Sequence, residues 1–130
     1  MKPTTLIIAG LVMLAACQTQ NISLFETEWT LKTMNGKDYS SFNPPATLTF
    51  SQDESRVSGH AGCNRFFGGY VLTDDNLSVG QLGATKMFCE DKMELEDNYL
   101  KALEHVKRYR IKGNSLQLLD GGTVILEFTK

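Results

Sequence analysis

Four side chains of this 130-residue chain could do chemistry as a set: Cys63, Cys89, His60 and His105. Two thiolates and two imidazoles are the donor types of a tetrahedral zinc site. Structural zinc sites, however, draw their ligands from close-spaced pairs such as Cys-x-x-Cys or His-x-x-x-His, and neither clip occurs here. A second chemistry is nucleophilic, with either thiol activated by either imidazole; it requires an unpaired sulfur of lowered pKa. Gly59, Gly62, Gly68 and Gly69 suggest a third, a phosphate-cradling loop, but no G-x-G-x-x-G or Walker pattern joins a strand to a helix. Glycine in such a segment instead permits bends and close strand approach. With no acid–base pair and no metal clip, the residues point to a protein that is not an enzyme and holds no cofactor or metal.

The third cysteine has a different setting. Met1 and Lys2 precede an apolar run from Leu6 to Ala16, eleven residues long. A membrane span needs about 20 residues, whereas a run of this length suits a signal peptide. Leu14-Ala15-Ala16-Cys17 resembles the lipobox of bacterial lipoproteins. That resemblance implies cleavage after Ala16, a diacylglyceryl group on the Cys17 sulfur and an acylated new amino terminus; two or more acyl chains give stable attachment. Residues 1–16 therefore read as a lipoprotein signal peptide, 17–24 as a lipidated flexible tether, and 25–130 as the folded domain. Inner-membrane lipoproteins often carry aspartate after the cysteine; Gln18 stands there instead and favours the periplasmic face of the outer membrane. Once Cys17 is consumed by lipid, Cys63 and Cys89 form an even pair in an oxidising compartment, and a disulfide is the economical reading. Closing that loop would stabilise the domain by roughly 3.5 kcal/mol through the unfolded chain.

The elements that must position these residues are mostly strands. Removing 16 residues leaves 114, enough for one small domain, and 42% hydrophobic with 22% charged residues suits a packed core. The net charge of −2 includes Lys2, so the mature chain has no basic excess and nucleic acid is not an expected partner. Period-two segments begin at Trp29, where Trp29, Leu31 and Thr33 alternate with Thr30, Lys32 and Met34 before the hairpin dipeptide Asn35-Gly36. Ala46 to Phe50, a strand through Val57, Phe66 to Leu72 and Leu77 to Leu82 continue the pattern. Leu95, Tyr99, Leu103 and Val106 then recur at helical spacing, with Glu90, Asp91, Glu94, Glu96 and Asp97 solubilising the helix start and Lys101, Lys107 and Arg108 its end. Strands around Tyr109–Ile111, Leu116–Leu118 and Val124–Phe128 close the chain. The prediction is mostly β (α+β): about eight antiparallel strands in a curled sheet or partial barrel, with one α-helix between the fifth and sixth strands. Lys107, Arg108, Arg110 and Lys112 read as the solvated face of an edge strand, with anionic lipid as the alternative.

Ser58-Gly59-His60-Ala61-Gly62-Cys63-Asn64-Arg65-Phe66-Phe67-Gly68-Gly69-Tyr70 resembles the glycine-cysteine-asparagine signature of the META domain, the HslJ-like family of heat-shock lipoproteins. Asn35-Gly36, Pro44-Pro45 and Thr85-Lys86-Met87-Phe88-Cys89 fall in that family's order, and the resemblance runs from about Phe25 to the C-terminus. It implies a lipocalin-like partial barrel with one helix and a stress-related envelope lipoprotein, and it lends no catalytic residues. Asn64 suits a left-handed or locally hydrogen-bonded backbone. The alternative is a surface of Asn64, Arg65, Phe66, Phe67 and Tyr70 that meets a ligand or partner. The expected function is a monomeric, non-enzymatic lipoprotein acting on an envelope protein or small molecule; the alternatives are a carrier of a hydrophobic ligand or drug and a proteinaceous enzyme inhibitor. Native mass spectrometry of protein purified from its own envelope should give the 114-residue chain plus lipid, less two hydrogens. An unlipidated mass or two free thiols would overturn the assignments of Cys17 and of the Cys63–Cys89 pair.

Overall fold

Alternating apolar residues on short segments must bury one face, and here they do so by curling a single sheet around them. The computed structural model describes Pro3, Gly10 and residues 21–130. Its strands are β1 (Trp29–Met34), β2 (Lys37–Asp38), β3 (Thr47–Ser51), β4 (Arg56–His60), β5 (Arg65–Thr73), β6 (Asn76–Val79) and β7 (Gly83–Ala84), then β8 (Arg108–Lys112), β9 (Ser115–Asp120) and β10 (Thr123–Thr129). The helix α1 (Met93–Glu104) lies between β7 and β8. The predicted eight strands become ten because β2 and β7, two residues each, are too short to leave a period; the helix therefore follows the seventh strand, not the fifth. The predicted Leu77–Leu82 strand is interrupted for a related reason. β5 is long enough to pair with β6 along Tyr70–Thr73 and with β7 along Phe66–Phe67, and the chain between them steps along it, Gly80 N donating to Gly69 O at 2.9 Å.

All pairings between strands are antiparallel, in the order β10-β9-β8-β6-β5-β4-β3-β1-β2, and β1 also pairs with β10. The sheet thus curls back on itself, but its β6–β8 seam is one residue pair deep, Asn76 opposite Arg108, so the wall is a partial barrel. Two main-chain bonds flank that pair, Leu77 N to Lys107 O at 2.9 Å and Tyr109 N to Asp75 O at 3.1 Å. Arg108 adds a hydrogen-bonded ion pair to Asp75 at 2.6 Å, which holds the Asp75 carboxyl below its usual range. Lys107 pairs with Asp120 at 3.0 Å, and Arg110 donates to Gln117. Three of the four basic residues of the run, Lys107, Arg108 and Arg110, are therefore engaged by their neighbours on the outer wall.

Two local features re-aim side chains. The Asn35–Gly36 turn has positive φ at both residues, 50° and 79°, as a two-residue hairpin requires. In β1 the register with β10 shifts between Leu31 and Thr33, so Met34, not Thr33, joins Trp29 and Leu31 in the core. At Gly59 a Cβ would sit 2.1 Å from the Thr47 carbonyl oxygen, so the β3–β4 approach admits glycine alone.

Inside, Trp29, Tyr99, Phe50, Phe66 and Phe128 are fully buried with a shell of leucines. Helix α1 lies across one opening, turning Leu95, Tyr99 and Leu103 inward, and Val106 is buried just past its end. The opposite end, beside Phe50, receives the N-terminal segment: Leu24 is buried, Ile22 packs on the core, Glu26 N donates to Phe50 O and Trp29 Nε1 donates to Leu24 O. This corrects the tether expectation for residues 17–24 at its end, since the packed unit already includes Ile22 and Leu24.

The Tyr99 hydroxyl donates to Thr47 O at 2.8 Å, tying α1 to the start of β3. Burial pushes its pKa well above the ordinary 10.0. A group whose folded pKa is raised contributes stability that is complete below the unfolded value and lost as pH rises through the folded one. The urea midpoint should therefore hold at neutral pH and fall above about pH 10. Tyr99→Phe should start lower, for want of one hydrogen bond, and show a flatter alkaline decline; equal slopes would contradict the assignment.

Candidate functional site

Hairpin turns ordinarily run through solvent, because a buried turn must find partners for its own main chain. The turn between β4 and β5 is buried nonetheless: Ala61, Cys63 and Asn64 are all enclosed under the start of α1. Gly62 makes the bend at φ 101°, with Leu95 Cδ2 3.0 Å from where a Cβ would stand. Two of its main-chain donors are met within the turn. Ala61 N donates to Asn64 O at 2.8 Å, and Gly62 N donates to His60 Nδ1 at 3.2 Å.

Asn64, 1% exposed, links the turn to its surroundings. Its main-chain N donates to Glu96 Oε1 at 2.6 Å and its Nδ2 to Glu96 Oε2 at 2.8 Å, so one carboxylate receives two bonds from one residue. The other edge of the same amide faces the segment before α1. Nδ2 donates to Met87 O at 2.9 Å, while Oδ1 accepts from Met87 N at 2.8 Å and from the Thr85 hydroxyl at 2.9 Å. Glu96 is thus the buried partner of the turn at 4% exposure, and its expected place among the solubilising acids of the helix is corrected. Next to Asn64, Cys63 is bonded to Cys89, with Cα atoms 5.7 Å apart.

These two neighbours hold the Thr85–Cys89 loop from both sides. Between the residues they hold stands Phe88, 82% exposed, with Met87 beside it at 60%. The loop lies at the end of the wall next to Thr47, since Thr85 N donates to Arg65 O and Arg65 pairs with His60, whose N donates to Thr47 Oγ1. It is therefore at the opposite end of β3 from Leu24–Glu26.

The five residues read as one candidate surface are divided by the strand pleat. Arg65 and Phe67 face outward, the Arg56 guanidinium lying 5.8 Å from the Phe67 ring, and both line an open groove of about 580 Å³ with Arg56, Ser58 and His60. Phe66 is buried against Tyr99, and Tyr70 turns inward, its hydroxyl donating to Ser51 O at 2.8 Å and its ring edge-on to Phe50. With Asn64 also enclosed, the single-surface expectation gives way to two outward side chains and three internal ones. Cys17 lies outside the described residues. His105 caps α1 at its far end, Nδ1 2.7 Å from Lys101 O, and among the described residues no three His, Cys, Asp or Glu side chains are gathered as metal ligands would be. Sequence reasoning missed Glu96, Thr85, Met87 and Phe88 as site residues. One signal for Glu96 existed: it lies three residues before Tyr99 and seven before Leu103, on the apolar stripe.

The sequence model described as META domain matches residues 21–130. Among solved structures, one described as the NMR structure of the protein from Burkholderia xenovorans is 34% identical, covers 82% of each chain and superposes with a TM-score of 0.65. A second NMR structure is 26% identical over 78% of this chain and 86% of its own, with a TM-score of 0.61. The crystal structure of a duf4847 family protein from Bacteroides vulgatus, 14% identical over 82% of this chain and 93% of its own, shares the fold at a TM-score of 0.58. No match is found among the curated proteins.

Deleting the Asn64 side chain would leave the buried Glu96 carboxylate with one donor fewer and the Met87 main chain unpaired. Asn64→Ala should cost about 3 kcal/mol in urea unfolding and deprotect the Met87 amide to hydrogen exchange. In a Glu96→Ala background the same change should cost less, because no buried carboxylate is then left a donor short. Equal costs in both backgrounds would mean that the two side chains are not coupled.

Proposed function

For this chain, which belongs to the META domain family, we propose the work of a non-enzymatic, stress-related envelope lipoprotein, anchored through Cys17 at the periplasmic face of the outer membrane and acting by contact with another protein. The observation that carries the reading is the Thr85–Cys89 loop, where a buried amide and a disulfide hold the main chain while Met87 and Phe88 stand in solvent. Large apolar side chains on a preorganised backbone are what protein interfaces use as anchors, because little conformational freedom remains to be lost on binding.

The position of the loop supports the same reading. Cys17 is four residues before Asn21, a reach of at most about 14 Å. A lipid on Cys17 would keep the Leu24–Phe50 end of the barrel at the membrane and turn the loop toward the periplasm. A carrier function is less well supported, since the middle of the barrel is occupied by Trp29, Tyr99, Phe50, Phe66 and Phe128.

Complementation tests the proposal. In a strain lacking the gene, growth should fail at raised temperature and wild-type protein should restore it. A Met87→Asp/Phe88→Asp double variant, with an unchanged unfolding midpoint and equal abundance in the outer membrane, should not. Full rescue by that variant would overturn contact through the loop, and full rescue by Cys17→Ser would overturn the need for the anchor.

A further inference from the structure

We infer that the occupant of the Thr85–Cys89 loop is the active-site cleft of an endopeptidase with an apolar primary pocket, with Phe88 in that pocket and the Phe88–Cys89 bond at the catalytic centre. This rests on the contact reading above and names the partner's chemistry. Three observations carry it.

The first is the shape of the main chain. An amide side chain that accepts from the N–H and donates to the C=O of one residue, as Asn64 does with Met87, is paired with it as a neighbouring strand would be. That pairing requires Met87 to be extended. Main-chain groups of successive residues in an extended chain alternate sides, so those of Lys86 and Phe88 face away from Asn64, and they make none of the hydrogen bonds among the described residues. Two alternate residues with free main-chain groups are what a cleft reads when it binds a peptide as an added strand.

The second is the side chain presented. Phe88 stands 82% exposed next to that extended residue, and an apolar ring is the group that a hydrophobic primary pocket selects. The third separates a peptidase from any other strand-binding partner. The bond after Phe88 is bracketed: Met87 is held by Asn64, Cys89 by Cys63, and the two holding residues are consecutive. Preorganisation serves any docking partner, whereas a hold on each side of one peptide bond matters further only where that bond is attacked. In a cleft the bracket has a consequence. Hydrolysis of the Phe88–Cys89 amide consumes one water and gives a Phe88 carboxylate and a Cys89 amine, yet both new ends remain held, so the amine stays in place to reverse the cleavage and the product does not leave. The chain would occupy the cleft as a slowly turned-over inhibitor.

The test uses full-length protein in detergent micelles with chymotrypsin and subtilisin as probes, because both bind extended peptides and accept apolar side chains in the primary pocket. Expected is saturable, one-to-one inhibition of at least one of them, with intact mass unchanged or increased by one water at Phe88–Cys89. Phe88→Asp, an exposed change that should leave the unfolding midpoint in place, should weaken inhibition about 100-fold, the scale of losing an anchor from an interface centre. Asn64→Ala, wherever it remains folded, should turn the protein into a substrate cut rapidly at the loop. No inhibition of either probe, rapid cutting of the wild-type loop, or equal inhibition by Phe88→Asp would overturn the inference. So would self-association abolished by Phe88→Asp without inhibition, which would make a second copy the occupant. The growth assay involves neither probe: absent inhibition with failed rescue by the double loop variant overturns the peptidase alone, whereas rescue overturns the contact reading as well.

Discussion

The Asn64 side chain is the point on which the site end of the molecule depends. A buried hairpin turn needs internal hydrogen-bond partners, and Asn64 supplies them by joining three segments at once: the β4–β5 turn it belongs to, the loop before α1, and α1 itself through Glu96. An amide suits the position as neither a carboxylate nor a hydrocarbon would. One end donates to the Glu96 carboxylate and to Met87 O, the other accepts from Met87 N and Thr85, and among the described residues no buried side-chain nitrogen or oxygen is left without a partner. A buried carboxylate fully engaged by fixed donors is stabilising only as a unit, which binds the helix position to the loop position.

The rest of the barrel can be seen as the support for that junction. The Tyr99 hydroxyl holds α1 to β3 one turn beyond Glu96, and the Tyr99 ring meets Phe66 and Phe128 inside the sheet. Gly59 lets β4 approach the Thr47 carbonyl closely just before the turn. At the far end, Leu24 and Phe25 complete the core beside Phe50, so the two openings are covered by different devices, a helix at one and an incoming chain at the other.

Much of this was legible in the residues. Alternation located the main strands, Asn35-Gly36 marked a hairpin that indeed has both residues at positive φ, and the spacing of Leu95, Tyr99 and Leu103 marked the inner face of the helix. The failures have physical causes. A two-residue strand has no period to detect, as β2 and β7 show, and a register shift such as that in β1 moves Met34 into the core against the alternation. The candidate surface failed because neighbours along β5 point to opposite faces, which separates Phe66 from Arg65 and Phe67. Glu96 was hidden among five acids near the helix start, since composition does not distinguish a solvated carboxylate from one that receives a turn. Met87 and Phe88 lie in a segment without periodicity, and their exposure follows from hydrogen bonds made by a residue more than twenty positions earlier.

The thin β6–β8 seam has a consequence for how the fold comes apart. Elsewhere adjacent strands of the curled wall share longer ladders, so a parting along Asn76 and Arg108 breaks the fewest strand pairs and leaves the neighbouring hairpins intact. Such a parting uncurls the barrel into an open sheet with two bare edges, which are templates for pairing with other chains. Arg110 and Lys112 stand on one of those edges, so mutual repulsion between opened copies would oppose their growth into aggregates.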